Sequence, residues 1–514
     1  MINPNLSSRN PQLELGLRTT PGNTSGMAKS PRIAIIGAGS LSHGKRLVDD
    51  LLTVREFAGG RLTLMGANLQ RLEVVGRYAK RAAADLRLSI EVEVTTDRNL
   101  ALEGAELVFS LFDAGGFSAF DLDFGIAARY GLDICIGDSV GPLGAMRGLR
   151  NGRVMLGLAD AMAGICPEAV LVNYVNPMAP MVAAAASRGI ACIGICGGIE
   201  ATRGYLAGVL GLRSGALRTA FAGVNHLAWL LEMEGPGGDL YPRFREIMRD
   251  PERRGDEAVR FEILQQFGYF STESSGQVSD FLPWFRRSPE LRSRYCYALG
   301  YSGASGAYRK LSSFAQRRLG DADYLEGETA SRTRSDDYGP AIAEAVLGGR
   351  SCRFHGNVMN GEGARPPALT GLPADACVEL PLLLDGRRLS VLPSPALPPA
   401  LAALCMPSAI QHRLVLRSLL SEDPELLFAA IAADQLTSAV LDLPAIRSLA
   451  SELLAANASW LPAGLALPLR ATVDASRRPS RRTGGKGDPI LDLVRSYERK
   501  ARPGREGSEP SLGS

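Results

Sequence analysis

Apolar positions in the first two hundred residues form short runs that alternate with amphipathic stretches. The apolar runs have the length of buried strands and span residues 33–36, 61–65, 90–96, 105–112, 134–137, 169–177 and 191–196. Helical periodicity lies between them over residues 42–57, 69–86 and 154–165. This alternation predicts an α/β fold with an N-terminal Rossmann-type, doubly wound parallel sheet.

The pattern changes after residue 200, where predicted helices mix with longer connections. Residues 401–461 are rich in Ala and Leu at helical spacing, which predicts terminal helices packed on a mixed α+β lobe. Both ends of the chain lose apolar periodicity. We therefore predict a disordered leader (1–31), a Rossmann-type domain (32–200), a C-terminal mixed domain (201–462) and a disordered tail (463–514).

Charge and composition narrow the range of partners. The net charge is +3, and residues 471–514 carry a net +4, which leaves the body of the chain near neutrality and argues against a broad nucleic-acid surface. The first thirty residues lack the apolar core of a secretory signal, and no apolar run is long enough for a membrane helix. Eight scattered cysteines without paired CxxC spacing predict reduced thiols and a cytoplasmic protein.

A glycine-containing turn directly follows the first predicted strand. Gly37, Gly39 and Ser40 stand between this strand and a predicted helix, where backbone N–H groups and the helix dipole favour a phosphate. The third glycine of a GxGxxG pattern is replaced by Ser42. We predict a dinucleotide site here, with a turn kept for packing alone as the alternative.

The second predicted strand ends without the acidic residue that commonly bonds the ribose hydroxyls of NAD. Gly66 and Asn68 follow this strand instead. We predict that Asn68 contacts a ribose, at the cost of weaker cofactor binding.

Motifs in order along the chain extend this interpretation: IAIIGAGS (33–40), DFGIAARYGLDICIGDSVGPLGAMRGLR (123–150), CPEAVLVNYVNPMAP (166–180), GICGGIE (194–200), AGVNHLAWLLEMEGPGGDLYPRFRE (222–246), FGYFSTESSGQVSDFLPWF (267–285) and LPADACVELPLLLDG (372–386). Together they resemble glycoside hydrolase family 4, especially its branch acting on unphosphorylated α-galactosides and α-glucuronides. The resemblance covers about Arg32 to Pro462 and implies a fold of the lactate and malate dehydrogenase type.

The resemblance implies an unusual glycosidase chemistry. In this family, bound NAD takes a hydride from C3 of the sugar, the C2 proton becomes acidic, the aglycone is eliminated from C1, and water and hydride then return. A divalent metal, typically manganese, acts as a Lewis acid on the C2 and C3 oxygens. The expected substrate is a small carbohydrate, and the expected assembly is a homo-oligomer, a dimer or tetramer.

The family's metal ligands correspond to Cys196, at the end of a predicted strand, and His226, which follows AGVN. A thiolate and an imidazole can leave open positions on a metal for substrate oxygens. Without the resemblance, a buried free cysteine and a satisfied core histidine would be the simpler interpretation.

Three positions depart from the family pattern, and a fourth has two interpretations. Gly197 follows the predicted metal cysteine, where the family has a His or Asp that serves as acid or assists the substrate. Gln277 replaces a His that is common in this branch, and Leu143 replaces a glycine. Tyr269 matches the region of the tyrosine proposed as C2 base, although an aromatic in FGYF is also typical of core.

Four further residues are predicted to bind substrate. Asn173 and Asn176 lie at the carboxyl end of a predicted strand, where open α/β sheets bind ligands, although Asn-Pro also marks ordinary turns. Asp138 and Arg147 lie in a loop that can orient a sugar, or they form a surface ion pair.

The sequence is also compatible with two other functions. Loss of the acid at Gly197 would spare hydride transfer and leave an NAD-dependent sugar or hydroxy-acid dehydrogenase. Alternatively, the altered positions mark a non-catalytic protein that keeps the scaffold, since fold does not imply function.

Overall fold

The computed structural model describes residues 14–15, 30–40, 43–318, 325–361 and 366–472. Most of the predicted leader and tail, and Ser42 of the glycine turn, lie outside these residues. The chain divides into a compact unit, Met1–Leu469, and a second unit, Arg470–Ser514, of which residues 470–472 are described. The following description concerns the first unit.

The strands of the described residues are β1 (Glu14–Leu15), β2 (Arg32–Ile36), β3 (Arg61–Met65), β4 (Glu91–Thr95), β5 (Leu107–Ser110), β6 (Val170–Asn173), β7 (Cys192–Gly194), β8 (Arg218–Val224), β9 (Leu227–Gly235), β10 (Gly238–Asp239), β11 (Phe270–Ser271), β12 (Ser351–Met359), β13 (Cys377–Asp385) and β14 (Arg388–Val391).

The α-helices of the described residues are α1 (His43–Leu52), α2 (Leu69–Asp85), α3 (Arg98–Leu102), α4 (Gly116–Arg129), α5 (Gly141–Ile165), α6 (Met178–Ala186), α7 (Gly198–Leu210), α8 (Tyr241–Met248), α9 (Pro251–Arg254), α10 (Ala258–Phe267), α11 (Ser275–Phe281), α12 (Pro289–Tyr295), α13 (Ala307–Arg318), α14 (Gly339–Gly348), α15 (Pro399–Ser421), α16 (Pro424–Ala432), α17 (Gln435–Val440) and α18 (Leu443–Ala456).

The N-terminal strands form a parallel sheet in the order β4-β3-β2-β5-β6-β7. Counted along the chain, this is the 3-2-1-4-5-6 order of the dinucleotide-binding fold, with its topological switch between β2 and β5. The predicted α/β fold class is therefore confirmed.

Antiparallel strands extend the same sheet beyond β7. Strand β12 pairs with β7 through Asn357 and Gly194, and β13, β8, β9 and β10 follow in that order. The sheet therefore continues across residue 200, where the sequence predicts a domain boundary. The strands before and after residue 200 share one hydrogen-bonded sheet. The domain boundary at this residue therefore stays a prediction.

Side chains of β2 show why helices cover both faces of the parallel sheet. Ile33 and Ile35 belong to a buried cluster with residues of α1 and α2, whereas Ala34 and Ile36 belong to another cluster with residues of α3, α5 and α6. Successive strand residues face opposite sides, so a strand that is apolar throughout needs a helix layer on each side.

One predicted strand is wrong. Residues 134–137 form a loop, because the N–H groups of Cys135, Ile136 and Gly137 donate to the Asp280 carboxylate at 2.9, 2.8 and 3.0 Å instead of to a neighbouring strand. The predicted helix at 154–165 is the second half of α5, which begins at Gly141. The terminal helices predicted over 401–461 are present as α15 to α18.

Candidate functional site

The carboxyl ends of the parallel strands gather the predicted site residues on one edge of the sheet. The glycine turn follows β2, Asn173 ends β6, and Cys196 lies two residues after β7. Adjacent strands are linked at this edge, where the Ser110 hydroxyl at the end of β5 donates to Asn173 Oδ1 at 2.8 Å. This is the edge at which open α/β sheets bind ligands.

The glycine turn has the backbone of a phosphate-binding loop. Gly37 has φ +93°, and a Cβ there would lie 2.3 Å from the backbone nitrogen of Phe112, so no other residue fits. The N–H groups of Gly37 and Ala38 donate to the Met65 carbonyl at 2.7 and 3.0 Å, which fixes the turn against β3.

Gly44 allows α1 to approach the glycine turn closely, which is the role that the GxGxxG pattern gives to position 42. A Cβ on Gly44 would lie 2.4 Å from the Ala38 carbonyl oxygen, and the Gly44 N–H donates to the Ser40 carbonyl at 2.7 Å. The third structural glycine is therefore two positions later than the GxGxxG pattern predicts, and a Cβ built on Gly39 would lie 3.4 Å from the Arg71 Cβ at the start of α2.

Asn68 lies at the carboxyl end of β3 and caps α2. Its side-chain oxygen accepts from the Arg71 N–H at 3.0 Å, a normal helix N-cap. Its amide nitrogen stays available to a ribose hydroxyl. Gly66, at the acidic position of many dinucleotide sites, is buried beside Leu72 and Gly39.

A cluster of metal-ligating side chains lies next along this edge. The ligand atoms of Cys196, His226 and Glu273 all lie within 4.8 Å of one another. The structure thus brings together the two predicted ligands, and it adds Glu273, which the sequence analysis did not single out. A thiolate, an imidazole and a carboxylate form a donor set that fits a divalent transition metal.

Polar neighbours orient the His226 ring. Its Nδ1 lies 3.0 Å from Ser139 Oγ, 3.1 Å from Gln277 Nε2 and 3.6 Å from Asp138 Oδ1. These contacts engage Nδ1, so Nε2 is the nitrogen left for a metal. A carboxylate behind a ligating histidine is the usual support that fixes ring orientation.

Asp138 and His226 form a coupled, buried pair. Burial alone would raise the pKa of Asp138, but the His226 imidazole, with Arg147 and Gln277, lowers it below its usual value. Burial would lower the pKa of His226, but Asp138, Cys196 and Glu273 together raise it well above its usual value. The pocket therefore favours positive charge at the ring, as expected of a site built for a cation.

The thiol and a second carboxyl group respond to the same environment. Burial, with Glu273 nearby, raises the pKa of Cys196 to about 11, and His226 opposes the shift. Burial and Glu273 also raise the pKa of Glu379 on β13 to about 8. Negative charge is crowded here, and a bound cation would relieve it and hold the thiol as thiolate.

The predicted substrate residues differ in what they present to a ligand. Asn173 is fully buried, and its amide bonds Ser110, Val175 and Met178, so it shapes the turn. Asn176 donates to Asp138 Oδ2 at 2.9 Å, and its Oδ1 has no protein partner among the described residues. An unpartnered buried acceptor of this kind fits a sugar hydroxyl.

Arg147 lies on α5 and faces Asp113 and Tyr308. Its Nη2 is 3.2 Å from Asp113 Oδ2, and its guanidinium lies 6.0 Å from the ring centroid of Tyr308. The alternative of a surface ion pair is wrong, because Arg147 is 9% exposed.

Tyr269 is not brought into the cluster. It precedes β11, whose pairing with β9 continues to Thr272 beside Ala228, so Glu273 is the residue that reaches the His226 end of β9. Tyr269 precedes Glu273 by four positions, about 13 Å along an extended strand. Its ring packs edge-on against Tyr241 with centroids 6.4 Å apart, and the structure thus offers no support for Tyr269 as the base.

Two tyrosines that the sequence analysis missed lie nearer to the pocket. Tyr308 packs beside Arg147, and burial, with Tyr308 and Asp138 nearby, raises the pKa of Tyr301. No spacing or motif marks them, because both tyrosines lie more than 150 residues after Arg147 along the chain.

These features define an α/β fold with a dinucleotide-type loop and a metal-ligating cluster on one edge. The model of the family 4 glycosyl hydrolases matches residues 32–212, and the model of the family's C-terminal domain matches residues 221–437. The chain belongs to glycosyl hydrolase family 4, which confirms the family predicted from the motifs.

Curated relatives support the same assignment. An α-galactosidase of Rhizobium meliloti (strain 1021) is 32% identical over 449 residues, covering 84% of this chain and 89% of the relative. An α-galactosidase of Bacillus subtilis (strain 168) is 30% identical over 436 residues, covering 84% and 99%.

A solved structure shares the fold. The 6-phospho-α-glucosidase from gut microorganisms, determined in complex with NAD and Mn²⁺, superposes with a TM-score of 0.70 at 19% identity, covering 84% of this chain and all but 1% of that one. Among the described helices, none has the length and apolar character needed to cross a membrane.

Proposed function

We propose that this chain is an NAD- and divalent-metal-dependent glycosidase that cleaves α-galactosides. The observation that carries the proposal is the cluster of Cys196, His226 and Glu273 on the same sheet edge as the Gly37–Gly39 turn. Two α-galactosidases at 30% identity or more, each matched over most of its length, support the substrate class.

The glycine turn fits the dinucleotide. Gly37 and Gly44 let the β2 turn and α1 approach closely, and Gly39 lies between them against the start of α2. When bound, NAD supplies a hydride acceptor. The chain's own part is to hold the pyrophosphate at the backbone and the ribose near Asn68.

The cluster fits the metal. Cys196 and His226 are the ligands expected from the family, and Asp138 and Ser139 fix the imidazole from behind. When bound, Mn²⁺ supplies Lewis-acid polarisation of sugar oxygens. The buried Oδ1 of Asn176, which has no partner among the described residues, supports the proposal that Asn176 orients a sugar hydroxyl.

The surroundings of Arg147 favour a neutral galactoside over a uronide. Asp113 lies 3.2 Å from the guanidinium, and Asp138 also contributes to its electrostatic surroundings. The chain therefore already supplies carboxylates to this cation, and the carboxylate of a uronic acid would have to displace one of them.

Hydrolysis of 4-nitrophenyl α-D-galactoside tests the proposal. Reduced protein with NAD⁺ and Mn²⁺ is expected to release nitrophenolate without net NADH, because the hydride returns to the sugar. The matching α-galacturonide is expected to react at least tenfold more slowly.

Controls separate this activity from its rivals. Omission of NAD⁺ or of Mn²⁺ should abolish release. Net NADH accumulation with free galactose would instead indicate a dehydrogenase, and binding of sugar and NAD without any turnover would indicate a non-catalytic scaffold.

We further propose, on the family resemblance, that the protein acts in the cytoplasm as a symmetric homo-oligomer. Mass measurement in solution checks the assembly.

A further inference from the structure

Glu273 enters the site from a short connection between β11 and α11. The Thr272 N–H pairs with the Ala228 carbonyl at 2.8 Å, and the Ser274 side chain caps α11 by accepting from the Gln277 N–H at 3.2 Å. Glu273 lies between these two anchors, so its backbone position is fixed on both sides. Its Oε1 lies 3.5 Å from Cys196 Sγ.

The Glu273 carboxylate occupies the space of a missing side chain on α7. A Cβ built on Gly198 would lie 1.4 Å from Glu273 Oε1 and 2.2 Å from its Cδ. Any residue other than glycine at 198 would force the carboxylate out of the cluster. By contrast, a Cβ on Gly197 would meet nothing within 4 Å. The chain thus lacks the side chain expected at 197, and it leaves position 198 empty for a carboxylate from another element.

The backbone of Glu273 is held in a conformation that side chains rarely adopt. Its φ is +67°, and that of His226 is +65°. Left-handed backbone at a non-glycine residue costs roughly 1–2 kcal/mol and concentrates at functional sites. Both side chains are directed at Cys196 from such positions.

The Glu273 carboxylate suits the metal that the family uses. Thiolate and imidazole donors suit Zn²⁺ at least as well as Mn²⁺, whereas carboxylate oxygen is a donor that Mn²⁺ prefers. Adding Glu273 to Cys196 and His226 also balances the charge of a divalent ion while leaving further positions for substrate oxygens.

From this geometry we infer that Glu273 is the third protein ligand of the divalent metal, beside Cys196 and His226, and that Gly198 leaves the space its carboxylate needs. The inference rests on the proposed metal site and names a ligand for it. Glu273 binds the ion through a carboxylate oxygen beside Cys196 Sγ.

Two variants of the full-length, reduced protein test the inference by metal binding alone. Glu273→Gln removes the anionic oxygen at nearly constant size. Gly198→Ala leaves every side chain of the cluster unchanged but displaces the carboxylate. Loss of the free Mn²⁺ electron paramagnetic resonance signal measures affinity, and both variants are expected to raise the Kd for Mn²⁺ at least tenfold.

Co²⁺ binding provides a second readout. The thiolate-to-cobalt charge-transfer absorption should persist in both variants, because Cys196 still coordinates. Gly204→Ala is the matched control on α7, since its Cβ would meet nothing within 4 Å, and it should bind Mn²⁺ like the wild type. Circular dichroism and thermal unfolding confirm that each variant is folded.

The outcomes separate the inference from the proposed function. Wild-type affinity for Mn²⁺ in folded Glu273→Gln and Gly198→Ala proteins would overturn the inference, whatever the wild type does with glycosides. Tenfold weaker binding in both variants supports it even when no glycoside is cleaved. A wild-type protein that binds neither Mn²⁺ nor Co²⁺ overturns the inference and the metal site together.

Discussion

Gly66 is the residue at which this cofactor site departs most from the common dinucleotide pattern. It directly follows β3 beside Gly39, and its φ is not positive, so the backbone accepts a side chain. A Cβ would lie 3.3 Å from the Leu72 side chain, a contact that this flexible group can relieve. Gly66→Asp is expected to tighten NAD⁺ binding about tenfold, because a hydrogen bond to a charged group contributes roughly 1.5–3 kcal/mol. Calorimetric titration measures the change.

Ala67→Asp serves as the control, since it adds the same charge one residue later on an exposed position. It should leave the Kd for NAD⁺ within twofold of the wild type. An equal gain from both substitutions would show that general charge, and not a ribose contact, causes the effect.

Single residues also show where sequence reasoning reaches its limit. Cys196 and His226 follow from motifs, and the structure places both in one cluster. Glu273 lies within the quoted motif at 267–285, but nothing in the motif marks its role, because that role depends on the left-handed backbone and on empty space at Gly198. Tyr269 lies in a quoted motif, but the register of β11 on β9 places it beyond Leu230, near the middle of β9 and away from the end that adjoins His226.

At the scale of elements, the approach of α1 to the glycine turn depends on Gly44. A methyl group there would lie 2.4 Å from the Ala38 carbonyl oxygen, and backbone on both sides prevents relief. Gly44→Ala is expected to lower the free energy of unfolding by about 1–3 kcal/mol, as overpacking does, and to weaken NAD⁺ binding. Urea denaturation and the same titration measure both effects.

Gly125→Ala, on α4, is the comparison, because its Cβ would meet nothing within 4 Å. It should raise stability slightly, by up to about 1 kcal/mol, since Ala has the higher helix propensity. A stable Gly44→Ala protein with unchanged NAD⁺ affinity would contradict the role assigned to this contact.

Elements with a strong local pattern were predictable, and those defined by distant partners were not. All six strands of the parallel sheet coincide with predicted runs: β2 and β3 match them to within one residue, and the other four are shorter than the runs that predict them. The first strand ends at the predicted glycines. The run at 134–137 is apolar like the others, but its N–H groups donate hydrogen bonds to Asp280, which lies nearly 150 residues away along the chain. Periodicity carries no information about such a partner.

At the scale of the whole molecule, the site lies where the parallel and antiparallel parts of one sheet meet. Cys196 follows β7, the last parallel strand, while Asn357 on β12 pairs with Gly194 and donates to Glu379 at 3.1 Å. The two family domains that the sequence suggests therefore contribute to a single buried cluster. Neither part would retain the cluster alone.

Stability of the whole fold should depend on acid through buried neutral histidines. His355 is 8% exposed on β12, and its Nε2 accepts from the Phe221 N–H at 3.4 Å. Burial, with Arg203 nearby, lowers its pKa from 6.5 to about 4, and burial lowers the pKa of His412 to a similar value.

The sign of the effect follows from proton binding. Below pH 6.5 His355 is protonated in the unfolded chain, but in the folded chain it is protonated only below about pH 4. The contribution of neutral His355 to stability is therefore complete above pH 6.5 and is lost as pH falls towards 4. The full shift corresponds to about 3 kcal/mol. Relative to the wild type, His355→Gln is therefore expected to lose less unfolding free energy as pH falls from 6.5 to 4, by up to about 3 kcal/mol, because this one shift is removed. Urea denaturation across this pH range measures the unfolding free energy. Phe221→Leu is the control, because it weakens the same packing but keeps the imidazole, and its unfolding free energy should change with pH as in the wild type. If His355→Gln also changes with pH as the wild type does, His355 is not protonated on unfolding.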